Sequence, residues 1–240
     1  MFVLAVGLVA GIVGGIVGFG SSIMLMPVLV FTFGPRQAVP IMAIGSIMTN
    51  LSRIAVWWRD VDWRACAVYS ITGAPAAVLG ARTLVALPAA VIDVALGTFF
   101  IAMIPIRRYL ASRELKIDLW MLAVIGLVVG YVTGIVATTG PITAPVFLAY
   151  GLVKGAFLAT EAAGSLAIYL SKSITFRALG ALPLDALATG LIVGSSLMIG
   201  TIISKRVVIT MSAARFRLLM DGLLAVSGGA MLWAAATRAA

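Results

Sequence analysis

The stretch GIVGGIVGFGSSIMLMPV, residues 11–28, begins as an apolar membrane helix, breaks at Gly18-Phe19-Gly20-Ser21-Ser22, and resumes toward Pro27. Glycine lacks a side chain and tolerates unusual φ/ψ, so Gly18 and Gly20 can unwind a helix where other backbones crowd in. Ser21 and Ser22 fall where a second half-helix would start, a position that favours Ser as a cap. A helix start carries unpaired N–H groups and partial positive charge, which suits an anion. Irregular backbone survives at membrane depth only inside protein or beside a water-filled cavity. The plain alternative is a kink with close helix packing, because Gly and Ser also serve tight contacts between membrane helices.

The whole chain has the composition that such a helix needs. It has 240 residues, of which 62% are hydrophobic and only 10% charged, and its mean hydropathy is +1.18. Apolar runs of membrane-spanning length follow one another with short gaps, which defines a polytopic membrane protein. The first run continues into the break instead of stopping at a small-residue cleavage site, so no cleavable signal is expected. The net charge of +9 reads as loop bias across a bilayer, not as nucleic-acid binding. With one cysteine, Cys66, and no histidine, an internal disulfide and a His/Cys zinc or haem site are excluded, and no cofactor is expected.

Eight apolar segments span about 1–33, 36–58, 64–86, 89–106, 118–150, 153–176, 183–203 and 213–237. The first and fifth are too long for one crossing of a core about 30 Å thick. Both carry a break in the middle. The halves repeat: Gly7, Gly11 and Gly15 share their spacing with Gly126, Gly130 and Gly134, and the second break reads Ala137-Thr138-Thr139-Gly140-Pro141. Gly45-Ser46-xxxx-Leu51-Ser52-Arg53 returns as Gly164-Ser165-xxxx-Leu170-Ser171-Lys172. If the broken segments dip in and return on one side, most Lys and Arg, including Arg59, Arg64, Arg107, Arg108 and Arg113, share a face. Positive-inside bias prefers that arrangement. It leaves three full crossings per half and starts the second half from the opposite face. The expected fold is therefore an all-α polytopic membrane protein of two inverted repeats, each a broken or re-entrant helix plus three transmembrane helices. The N-terminal repeat covers residues 1–106, a polar cytoplasmic linker 107–117, and the C-terminal repeat 118–240.

These residues resemble a known family. GGIVGFGSSIMLMPVLV (14–30) and TGIVATTGPITAPVFL (133–148) look like the two Gly-rich broken helices of the sulfite exporter TauE/SafE family. The loop Asp60-Val61-Asp62-Trp63-Arg64 is similar to that family's Asp-Trp-Arg loop. The resemblance runs over essentially the whole chain. It implies a permease for sulfite, organosulfonates or related small anions. The chain departs from the family where a run of glycines gives way to Ser21-Ser22 and Ala137-Thr138-Thr139.

Read from the residues, the candidate site lies where the two breaks face each other near the midplane. Backbone N–H groups after Gly20 and Gly140 would converge on one oxyanion, with hydroxyls of Ser21, Ser22, Thr138, Thr139 and Thr143 as further donors. The alternative is that these hydroxyls bond their own helices. Pro141 suits a first helical turn. Arg53 and Lys172 are matched cations, either functional because charge inside a membrane is costly or snorkelling to headgroups. Asn50 would meet the ligand or bridge helices. Glu161 stands where the first half has an apolar residue; a buried carboxyl there is a candidate proton carrier, or a salt-bridge partner of Lys154 or Lys172. Asp93 is expected to cap a helix, and Asp60, Asp62 and Asp185 to serve as loop or cap residues.

The expected function is secondary transport of small anions, sulfur-containing or carboxylate, by alternating access around the paired breaks. An anion channel with the same site is the nearest alternative. An intramembrane enzyme would need a nucleophile and a base, and neither histidine nor a placed Ser–Lys or paired-Asp set is present. A structural subunit would not require two matched breaks, and no GxxxxGK[ST] segment supports primary pumping. The expected partners are a small anionic substrate, the bilayer of the cell inner membrane, a coupling ion (H+ or Na+) and a second copy in a homodimer; nucleic acid is not among them.

Overall fold

The computed structural model describes residues 2–17, 20–113, 115–204, 221–222, 225–226, 228–230, 232–233 and 236. Its order is α1 (Phe2–Val17), α2 (Gly20–Phe33), α3 (Pro35–Trp57), a 3-10 turn at Trp58–Asp60, α4 (Trp63–Ala86), α5 (Ala89–Ser112), α6 (Leu119–Ile135), α7 (Gly140–Ala149), α8 (Lys154–Ala178) and α9 (Leu184–Ser204). No strand occurs among the described residues.

The breaks fall where the glycines and hydroxyls interrupt the apolar runs. The first long segment divides into α1 and α2, the fifth into α6 and α7. At 1.5 Å per residue, the 10 residues of α7 reach about 15 Å, half of a hydrocarbon core. Pro35–Asp60, Ala89–Leu110 and Leu184–Ser204 are long and apolar enough to cross by themselves. α4 and α8, with 24 and 25 residues, have the length to cross as well.

Turn chemistry fixes the junctions. Gly34 takes φ 77 between α2 and α3, a left-handed conformation that a side chain would disfavour, and Pro35 then opens α3. Asp62 caps α4: its Oδ1 accepts from the N–H groups of Arg64 and Ala65, both at 3.0 Å. Asp185 sits in the first turn of α9. Asp93 is not a cap; Pro88 holds that position, and Asp93 is buried one turn into α5. About half of the stretch read as a linker from residue 107 belongs to α5, which runs on to Ser112.

Polarity is inverted relative to a water-soluble fold. Ile71 and Leu79 of α4, Val124 and Val128 of α6, and Ile192 and Ile199 of α9 lie exposed, while Asn50, Arg53, Glu161 and Lys172 are buried. Apolar surface outside and polar groups inside is the arrangement a bilayer stabilises, and the protein is a membrane protein.

The helices pack through small residues. α1 lies on α9, α6 on α4, and α3 sits against both α8 and α9, as α8 does against α3 and α4. These pairings are unchanged when α1–α4 are exchanged for α6–α9, although α2 also packs on α1 where α7 does not pack on α6. A Cβ on Gly11 would overlap the Leu197 carbonyl of α9, and one on Gly130 would overlap the Gly73 carbonyl of α4. The evenly spaced glycines are thus contact faces, where lack of a side chain lets backbones touch.

Candidate functional site

α3 and α8 cross beside the two half-helices, and their polar faces turn inward together. Between them lies a cavity of about 10 Å³, room for about one water. Its wall combines Ser21 and Ser22 from the first turn of α2, Thr138 from the break before α7, Ser46, Thr49, Asn50 and Arg53 from α3, and Glu161 and Tyr169 from α8. Residues from both breaks therefore share one enclosure.

An ion pair closes one side. Arg53 Nη1 donates to Glu161 Oε2 at 2.8 Å, and each side chain is only 8% exposed. Arg53 Nη2 donates to Asn50 Oδ1, one turn earlier on the same helix. The other carboxylate oxygen, Glu161 Oε1, accepts from Ser165 Oγ at 2.9 Å and Thr143 Oγ1 at 3.3 Å. A buried charge pair is tolerated when its remaining lone pairs are bonded, and here they are. Beside it, the buried amide Asn50 Nδ2 has no hydrogen-bond partner, and Ser46 Oγ has only the Tyr169 hydroxyl as a neighbouring partner. An unpaired buried donor is costly, so the Asn50 amide beside a guanidinium has room to gain an acceptor.

The second break is held from α8. Lys172 Nζ donates to the carbonyls of Thr133 at 2.8 Å and Val136 at 3.2 Å. Tyr169 Oη donates to the Ala137 carbonyl at 3.1 Å. Thr133 and Thr139 hydroxyls meet at 2.6 Å, and the Gly140 N–H donates to Thr138 Oγ1 at 3.3 Å.

A model of the sulfite exporter TauE/SafE family matches residues 3–231, nearly the full length. The chain belongs to the sulfite exporter TauE/SafE family. No curated protein and no solved structure matches it. Membership in this transporter family accords with the inverted polarity of the helices.

Within this TauE/SafE chain, Ser21, Ser22, Asn50, Arg53, Thr138 and Glu161 meet at the cavity. Thr139, Thr143 and Lys172 lie behind it, engaged with Thr133, Glu161 and the α6 carbonyls. Gly20 and Gly140 open α2 and α7, and Gly18 lies outside the described residues. The N–H groups after Gly140 do not point at a common anion: Pro141 has none, and those of Ile142 and Thr143 donate to the Thr139 carbonyl at 2.8 and 3.0 Å. The polar groups around the cavity are side chains, not the N–H groups that open α7. Glu161 pairs not with Lys172 but with Arg53 from the other half, and the side chain of Lys154 lies outside the described residues. Arg53 and Lys172 do not snorkel, being 7% and 0% exposed. Sequence reasoning did not place Ser46, Thr49 or Tyr169 at the site. The repeat carried a signal for Ser46, and Tyr169 occupies the position in α8 that Asn50 holds in α3.

Proposed function

We propose that the protein is a secondary transporter of small sulfur oxyanions, sulfite or an organosulfonate, working by alternating access around the paired breaks. The observation that carries this reading is the unpartnered Asn50 Nδ2, set with Ser46 beside Arg53 in a wall that both breaks share. An oxyanion would accept from them, with Ser21, Ser22 and Thr138 around it, and would draw on the charge of Arg53. Such anions are larger than one water, so binding requires α2 or α7 to move outward, and closure about the anion accompanies that motion. A closed cavity this small favours a carrier over a channel, which needs a continuous wet path.

Arg53 Nη1 is already taken by Glu161. An anion that claims the guanidinium displaces the carboxylate, and a displaced charge in the membrane interior is best neutralised by a proton. Anion entry would then carry one proton with it, and Glu161 is the group that carries it. The two halves act as inverted repeats in this scheme, a reading supported by helix contacts that survive exchange of α1–α4 for α6–α9. The anion site would thus sit on the pseudo-axis, in the cell inner membrane.

Radiolabelled sulfite uptake into proteoliposomes tests the reading. Arg53→Gln is expected to lower the initial rate by about 100-fold, the loss of one charged hydrogen bond of about 3 kcal/mol. Wild-type uptake by a variant that inserts normally would reject the site.

A further inference from the structure

The matched cations face different ways. Arg53 turns into the cavity toward Glu161, whereas Lys172, at the corresponding place in α8, turns toward the end of α6. Its ammonium is fully buried, with Nζ 2.8 Å from the Thr133 carbonyl oxygen, 3.2 Å from that of Val136, and 4.7 Å from the Tyr169 ring centroid. Among the described residues no carboxylate forms a salt bridge with it. Two carbonyls and an aromatic face are neutral partners of the kind that hold a desolvated monovalent cation.

The place matters as much as the partners. The last carbonyls of a helix lack intrahelical donors and carry partial negative charge. Where transporters break their helices, half-helix ends and unwound carbonyls are the usual ligands of a coupling Na+. Here that coordination is filled by an ammonium covalently attached to α8. Tyr169, one turn before Lys172, grips the next carbonyl, Ala137, and lines the anion cavity with its other side. Together the two side chains hold the carbonyls of Thr133, Val136 and Ala137, and Thr138 is left facing the cavity.

We propose that Lys172 is a tethered cation standing in for a free coupling cation: it positions the segment between α6 and α7 and makes transport independent of Na+. The proposal rests on the reading of the cavity as the anion site. It is a positioning role, since Lys172 does not line the cavity.

Sulfite uptake into proteoliposomes is measured with Na+, K+ or choline as the bulk cation. Wild-type protein is expected to give equal initial rates in all three. Lys172→Met keeps the unbranched stem out to Cε and removes the ammonium. It is expected to lose about tenfold in choline, the worth of one charge-assisted contact, and to regain most of that rate with Na+ or ethylammonium. A purely structural lysine would lower yield or melting temperature without creating cation dependence. Wild-type uptake that collapses when choline replaces Na+ overturns the proposal. So does a Lys172→Met protein that purifies like wild type and is equally active, or equally inactive, in every cation. The wild-type cation series needs no variant and decides the matter if Lys172→Met does not fold. Absence of sulfite uptake by wild type in all three media would fail the anion-site reading itself, and this proposal with it.

Discussion

Replacing Glu161 with Gln separates anion binding from proton uptake. In the native protein Glu161 accepts from Arg53 at 2.8 Å, Ser165 at 2.9 Å and Thr143 at 3.3 Å. A Gln there keeps one oxygen for Ser165 and Thr143 but sets an amide N–H against the guanidinium. Arg53 is then left with Asn50 as its side-chain acceptor. Removing one partner of a buried pair costs about 3–5 kcal/mol of stability. An anion that binds the freed guanidinium no longer has to displace a carboxylate. Without that competition, worth about 1.5–3 kcal/mol, methanesulfonate should bind about 10- to 100-fold tighter than to wild type. At 100 times its Kd the anion returns about 2.7 kcal/mol of stability, so the melting-temperature rise should exceed that of wild type.

The pH dependence has a definite sign. If one proton enters with each anion, wild-type affinity rises as pH falls. Methanesulfonate does not itself titrate near neutrality, so the slope reports the protein. Calorimetric titration at three pH values between about 6 and 8 gives the slope directly; for Glu161→Gln it should vanish. A Gln variant that binds more weakly than wild type and keeps its pH slope would refute the competition between substrate and carboxylate.

Three further outcomes are expected. Leucine at Gly140 or Gly20, the first residues of α7 and α2, should remove sulfite flux with membrane insertion intact; normal flux in both variants would end the case for a site at the breaks. Gly130→Val sets a branched side chain against the Gly73 carbonyl and should destabilise the α4–α6 contact by about 1–3 kcal/mol, read as a lower melting temperature in detergent; an unchanged value would contradict the packing. Asp62→Ala loses the cap of α4, a change of about 0.5–2 kcal/mol, and should lower thermal stability while leaving the KM for sulfite unaltered.

Much of the architecture was legible in the chain because helix breaks are local. Glycines, hydroxyls and prolines can interrupt an apolar run, so the division of the first segment into α1 and α2 and of the fifth near Gly140 needed no tertiary information. The cap at Asp62 was legible for the same reason, since its partners lie two and three residues away. The repeat also marked Arg53 and Lys172 as equivalent positions. Equivalence in sequence did not extend to contact. Glu161 has Met42 as its counterpart in the first half, and this single asymmetry draws Arg53 across to α8.

Composition and the spacing of breaks by themselves determined a membrane protein of interrupted helices with buried charge, because burial in a bilayer selects residue types and lengths one segment at a time. Only the tertiary structure decided that Glu161 meets Arg53 from the other half, that Lys172 serves the end of α6, and that Tyr169 joins Asn50 at the cavity. Those contacts depend on how helices distant in sequence cross. The crossing is set by glycine faces such as Gly130 on Gly73, whose partners no local pattern specifies.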